Sequence, residues 1–185
     1  MKHPVLDESS KKMDKAVNAY KRELTRVRTG RATPALLDGI MVDYYGSQMP
    51  INQVASISVP ESRQLVIQAW DQNVLPEIEK AILKSELGLT PNNDGKVVRV
   101  SIPPLTEERR KDLVKLVNKM AEEARVAVRN VRRDHMERLK KMKKDKEISE
   151  DEMYKLQDEL QKITDDHIET IDNIRADKEK EIMEF

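Results

Sequence analysis

The sequence predicts an α+β protein: an elongated three-helix bundle with a small, hinged β/α/β domain inserted between its first and second helices. Three observations predict it. Three stretches each carry one apolar stripe at helical spacing, and a lone stripe must find partners to be buried. The roughly seventy residues between the first two stretches change to a period-two rhythm broken by turn residues. Composition agrees, since 37% of the 185 residues are charged and only 3% aromatic, the balance of long amphipathic helices.

The bundle is expected from residues 1–29 and 106–185, and the inserted domain from 30–105. The first helix should run from about Asp7 to Arg28, with Met13, Val17, Tyr20, Leu24 and Val27 spaced four, three, four and three. The incoming junction is Thr29-Gly30-Arg31-Ala32-Thr33-Pro34 and the outgoing one Pro103-Pro104, which places hinges near 29–34 and 102–105. Gly30 tolerates unusual dihedrals, whereas Pro34, Pro103 and Pro104 stiffen the chain on either side.

Inside the insert, Ile40 to Tyr45, Val54 to Val59, Leu65 to Trp70 and Lys96 to Ile102 read as strands. Asn92-Asn93-Asp94-Gly95 is a turn before the last of them. Ile78, Ala81, Ile82 and Ser85 give a short helix, with Asn73 as its cap and Gly88 as its stop.

The second helix is expected over 106–146. Thr106 suits the N-cap, and Glu107 and Glu108 suit the positive end of the helix dipole. At 1.5 Å per residue this rod would be about 60 Å long. The third helix should begin at Ser149, whose spacing to Glu152 makes a capping box. It continues through Met153, Leu156, Leu160, Ile163, Ile171 and Ile174 toward Phe185.

Zero net charge conceals segregation. Residues 1–29 carry eight bases and four acids (+4), 30–105 six and eight (−2), 106–146 fifteen and eight (+7), and 147–185 five and fourteen (−9). Binding follows the local field rather than the sum. On a helical wheel of the second helix, Leu113, Leu116, Met120, Ala124, Ala127, Val131, Leu139 and Met142 point one way. Lys111, Arg125, Arg129, Arg132, Arg133, Lys140 and Lys143 fall opposite, and most of the acids, Glu122 excepted, lie on a separate strip. A solvated face would mix its signs. A rigid one-sign strip points to a polyanion, gripped through phosphates rather than base edges. Arg28 and Arg31 flank the incoming junction and read equally as RNA contacts or as interdomain braces.

Other chemistries find little footing. The chain has no cysteine, so disulfides, thiolate nucleophiles and zinc–cysteine sites are excluded. No apolar run approaches the roughly 18 residues of a membrane span. The first residues lack a signal-peptide core and a transit pattern, so a soluble, cytoplasmic protein is expected. His3 belongs to a terminus expected to fray, His135 flanks the second helix's core stripe, and His167 reads as a satisfied bundle histidine. Asp165-Asp166-His167 lacks metal-ligand spacing. Glycine-rich phosphate loops and a nucleophile elbow are absent, and carboxylate pairs such as Glu107-Glu108 are helix-surface acids. Of Tyr44 and Tyr45, strand alternation lets one at most face outward for stacking. No enzyme, metal or cofactor is expected.

The residues carry a resemblance as well. Arg28-Thr-Gly-Arg-Ala-Thr-Pro-Ala-Leu-Leu-Asp-Gly-Ile40, Tyr44-Tyr45-Gly46, Leu105-Thr-Glu-Glu-Arg-Arg-Lys-Asp-Leu113, Ala124-Arg-Val-Ala-Val-Arg-Asn-Val-Arg-Arg-Asp134 and Lys144-Asp-Lys-Glu-Ile-Ser-Glu-Asp151 closely resemble bacterial ribosome recycling factor, in order and over essentially the whole chain. One departure is Glu86-Leu-Gly-Leu-Thr-Pro91, where the family usually has Asp and Asn. The resemblance implies an L-shaped molecule like transfer RNA that binds the ribosome after termination. With elongation factor G and GTP it splits the subunits and frees messenger and transfer RNA. It further implies that the bundle lies on large-subunit ribosomal RNA, with Arg132 foremost, Arg129, Arg133 and Arg110 on the same motifs, and Arg28 and Arg31 at the junction. Arg125 joins them from the cationic face. The small domain and hinge would face elongation factor G, and the protein would be a monomer. A competing reading is a scaffold in which the acidic third helix of one chain pairs with the basic second helix of another.

Overall fold

The structure, a computed structural model, describes residues 2–184. Met1 and Phe185, the outer limits expected for the bundle segments, lie outside the described residues. In chain order the elements are α1 (Pro4–Thr25), a 3-10 turn (Pro34–Leu37), β1 (Met41–Tyr44), β2 (Ser47–Pro50), a single turn α2 (Ile51–Val54), β3 (Ala55–Glu61) and β4 (Gln64–Ala69). A second 3-10 turn (Gln72–Val74), α3 (Leu75–Lys84), β5 (Pro91–Asn93), β6 (Val98–Ser101), α4 (Glu107–Lys144) and α5 (Glu150–Glu184) follow. The chain forms two compact units. One holds the residues up to Val27 with Glu108–Glu184, and the other holds Arg28–Glu107.

In the first unit, α1 begins at Pro4 rather than Asp7 because His3 is its cap: Val5 N–H donates to His3 Nδ1 at 3.2 Å, and Pro4 occupies the first helical position. His3 is therefore part of the helix start and not a frayed residue. The helix ends at Thr25 rather than Arg28, where the Arg26 N–H bonds the Glu23 and Leu24 carbonyls. Met13, Val17, Tyr20, Leu24 and Val27 are all buried. Tyr20 Oη donates to the Val117 carbonyl at 3.3 Å, tying α1 to α4.

α4 turns its core face differently from the expected wheel. Leu113, Val117, Ala121, Ala124, Val128, His135 and Leu139 are buried, while Leu116 is 44% exposed. The buried direction is rotated by about 45° toward the Val117–Val128 side. Packing against α1 and α5 chooses that face, and alanines and one histidine serve it as well as leucines do. α5 opens as expected. Glu152 N–H donates to Ser149 Oγ at 3.1 Å and Ser149 N–H to Glu152 Oε2 at 3.4 Å, a reciprocal capping box.

In the second unit, a four-stranded antiparallel sheet has the order β3-β4-β6-β5, and β1 and β2 form a separate hairpin. β4 is central and buries Leu65 and Ile67. With Val98 and Val100 of β6 they meet Leu75, Ile78 and Ile82 of the α3 segment in one apolar core. Two strands were not expected from sequence, β2 and the edge strand β5. The cap before α3 is Asp71 rather than Asn73: its Oδ1 accepts the Asn73 N–H at 2.9 Å and starts the 3-10 turn that feeds the helix.

Candidate nucleic-acid interface

α4 carries the candidate cations, and its neighbour α5 decides how each is held. Arg125, expected opposite the core, is instead at the α4–α5 seam with a side chain only 18% exposed. Its Nε donates to Asp172 Oδ1 at 2.8 Å and its NH1 to Glu122 Oε2 at 2.9 Å. Burial works against its charge, but Asp172 and Glu122 more than compensate and raise its pKa. Glu122 also accepts from Arg129 NH1 at 3.0 Å. Bonds from Arg125 and then Arg129 hold the Glu122 carboxyl below the usual carboxylate range. The one acid that broke the sequence pattern is thus the acid that binds two of the arginines.

Arg132 also moves from the expected outer face to a half-buried position. The rotation of α4 explains both displacements, because each arginine flanks the true core face and reaches toward α5. Its NH1 donates to Gln161 Oε1 at 2.8 Å, while its Nε is buried without an acceptor. Arg133 is exposed and donates to Asn130 Oδ1 at 3.0 Å. Arg129 is exposed on the same side. Near the start of α4, Arg110 donates to the carbonyl of Met183.

In the other unit, the Arg28 NH2 donates to the Leu87 carbonyl at 2.8 Å. Arg31 is exposed, and its main-chain N–H reaches Thr29 Oγ1 at 3.4 Å. Gly30 is buried, Pro34 opens the 3-10 turn behind Thr33, and Pro103 and Pro104 are exposed beyond β6. Sequence reasoning passed over Lys115 and Lys119, both exposed on α4. Their i,i+4 relation to Lys111 and to each other was the available signal.

The histidines are structural. His135 Nδ1 lies 2.8 Å from the Val131 carbonyl, and His167 lies between the Ile163 carbonyl at 2.6 Å and Asp14 Oδ1 at 2.7 Å. Tyr44 packs on the core of its unit, whereas Tyr45 is 70% exposed and donates to Asp71. Among the described residues, no group of three or more His, Cys, Asp or Glu is placed to hold a metal ion, and no helix is long and apolar enough to cross a membrane. What the arrangement offers is a set of guanidinium and ammonium groups along a 38-residue helix, some paired with acids and some exposed.

Comparison with known proteins places the chain in a family. The family model for ribosome recycling factor matches residues 20–183. The ribosome-recycling factor of Desulfatibacillum aliphaticivorans is 59% identical over 181 residues, covering 98% of each chain. That of Desulfotalea psychrophila is 61% identical over 180 residues, covering 97% of this chain and 98% of its own. A solution structure of ribosome recycling factor matches with a TM-score of 0.74 at 51% identity, over 98% of this chain and 96% of that one. A second solved structure, of models for the T. thermophilus ribosome recycling factor and the E. coli elongation factor G bound to the E. coli post-termination complex, matches with a TM-score of 0.63 at 49% identity over 96% of both chains.

Proposed function

The chain belongs to the ribosome recycling factor family, and from that premise we propose that it binds the ribosome after termination and acts there with elongation factor G. Using that factor's GTP hydrolysis, it parts the subunits so that messenger and transfer RNA are released in the cytoplasm. The observation that carries this reading is the family relationship across nearly the whole chain, at about 59% identity to several relatives. The solved assembly of a relative with elongation factor G on a post-termination complex supports the choice of partner.

The bundle would rest on large-subunit ribosomal RNA through α4. Arg132, Arg129, Arg133 and Arg110 grip phosphates, joined by the lysines of the outer face. The protein is not an enzyme: it holds and pushes, and bond cleavage belongs to the GTPase. Gly30, Pro34, Pro103 and Pro104 at the two chain crossings serve as the hinge about which the small unit bends toward elongation factor G. Arg28 acts as a brace within that unit rather than an RNA contact, given its bond to the Leu87 carbonyl. The scaffold reading loses ground because the acidic α5 meets the basic α4 within the same chain, as Asp172 does with Arg125. We therefore expect a monomer.

The test is subunit splitting followed by light scattering, with purified post-termination complexes, elongation factor G and GTP. The full chain should lower the scattering only when both are present. Splitting that proceeds equally well without the chain would overturn the reading.

A further inference from the structure

We infer that Gln161 is a positioning residue that presents Arg132 to RNA with its charge uncancelled. This rests on the reading of Arg132 as a phosphate-gripping residue, and it names the group on which that role depends. A half-buried guanidinium needs acceptors. The other arginine half-buried at the α4–α5 seam, Arg125, is met by the carboxylates of Asp172 and Glu122, and Arg129 beside it shares Glu122, whereas the neutral acceptors of Arg133 and Arg110 serve other positions on α4. Such ion pairs satisfy the donors and also cancel the field that would attract a phosphate.

Arg132 is held differently. Its NH1 donates to the neutral amide oxygen of Gln161 at 2.8 Å, and it has no ion pair among the described residues. The amide's own orientation is fixed from behind, because Gln161 Nε2 donates to Asp165 Oδ1 at 2.8 Å. A carboxylate only accepts, so the NH2 end of the amide must face Asp165 and the oxygen must face Arg132. Asp165 thus acts through Gln161 without touching the guanidinium. The buried Arg132 Nε, which has no acceptor, makes the Gln161 bond the principal anchor of the group. Losing it would leave two donors of a half-buried cation unmet, and the side chain would swing away from its seat. One turn of α5 therefore holds a half-buried arginine in place through a neutral amide, with no opposite charge in direct contact.

Ribosome binding measured by fluorescence titration at several salt concentrations tests this. The variants are Arg132→Gln, Gln161→Glu, Gln161→Met and the combinations of each Gln161 variant with Arg132→Gln. Arg132→Gln should weaken binding about tenfold. Gln161→Glu should weaken it to a similar degree and flatten the plot of log affinity against log salt by about one unit, because the new carboxylate takes the place of a phosphate. Gln161→Met keeps the charge but frees it, so it should weaken binding about threefold with an unchanged slope. In the Arg132→Gln background neither Gln161 variant should have a further effect. If Arg132→Gln is weak but both Gln161 variants bind normally, positioning is wrong while the phosphate reading stands. Equal weakening by Gln161→Glu in both backgrounds would also overturn it, as that is generic repulsion of RNA. Normal binding by Arg132→Gln itself would remove the premise together with the inference.

Discussion

The bundle buries Ser9, His135 and Thr164 among its apolar stripes, whereas the small unit, among the described residues, buries only Thr29 beside a core that is otherwise apolar from Ala32 to Ile102. The reason lies in the backbone. A helix can satisfy a buried polar side chain from its own preceding turn: Ser9 Oγ donates to the Leu6 carbonyl, Thr164 Oγ1 to Leu160 and His135 Nδ1 to Val131, each at 2.8 Å. A strand commits its carbonyls to its neighbours and has none one turn back to lend. So the bundle tolerates polar residues in its core and adds polar ties between helices, such as the ion pair of Arg138 with Glu8 and the hydrogen bond of His167 with Asp14. The small unit relies on apolar volume and on its turns.

The sharpest way to break this comparison is to remove apolar volume from the small unit. Ile67 is fully buried in the central strand β4, between Ile57 of β3 and Val98 of β6. Ile67→Ala should cost about 2–5 kcal/mol. Hydrogen exchange should show the loss across β3, β4 and β6, with the mid-helix amides of α5 still protected. Uniform loss in both units would show that they do not unfold separately.

A smaller effect is expected at the bundle's best-defined helix start. Ser149→Ala removes half of the capping box and should cost about 1 kcal/mol, read as a lower urea midpoint and faster exchange over the first turn of α5. An unchanged midpoint would mean that Glu152 alone suffices.

The smallest effect concerns the ionic ties. Arg138, then Lys12, holds the Glu8 carboxyl down at about 2 from the ordinary 4.5. A carboxyl depressed on folding stabilises above its unfolded value, and that contribution is lost as pH falls through about 4.5 toward 2. Glu8→Gln should therefore flatten part of the acid dependence of the urea midpoint over that window while changing little of the α4 packing. Its carboxylate is two-fifths exposed, so solvent keeps the contribution modest. Identical pH profiles for the two proteins would dismiss the tie as ornamental.

The same contrast explains what the sequence made legible. Met13, Val17, Tyr20 and Leu24 announce a helix face because periodicity is a local property, and all four are buried. Ser149 and Glu152 announce a cap for the same reason. The direction of α4's core face was less legible, since two partner helices choose it, and Arg125 and Arg132 were misplaced as a result. β2 was hidden because its hairpin turns through Tyr45 and Gly46, both left-handed at φ 50° and 89°, and tyrosine is a rare choice there. A bond from Tyr45 to Asp71 accompanies that conformation, and no neighbouring residue predicts it. β5 was hidden because Pro91-Asn92-Asn93 lacks strand propensity and pairs only as an edge. At the candidate interface the arginines were visible as a pattern. Their sorting by Glu122, Asp172 and Gln161 was not, because it depends on which residues of α5 face α4.

The claim on which the functional account turns is that α4 grips ribosomal RNA through phosphates, and the salt dependence of ribosome binding tests it most directly. The full chain should lose affinity steeply and linearly in log–log coordinates as salt rises, with a slope of several units. Arg132→Gln should shallow that slope by about one. An affinity that hardly changes with salt, and a slope untouched by the substitution, would contradict the account.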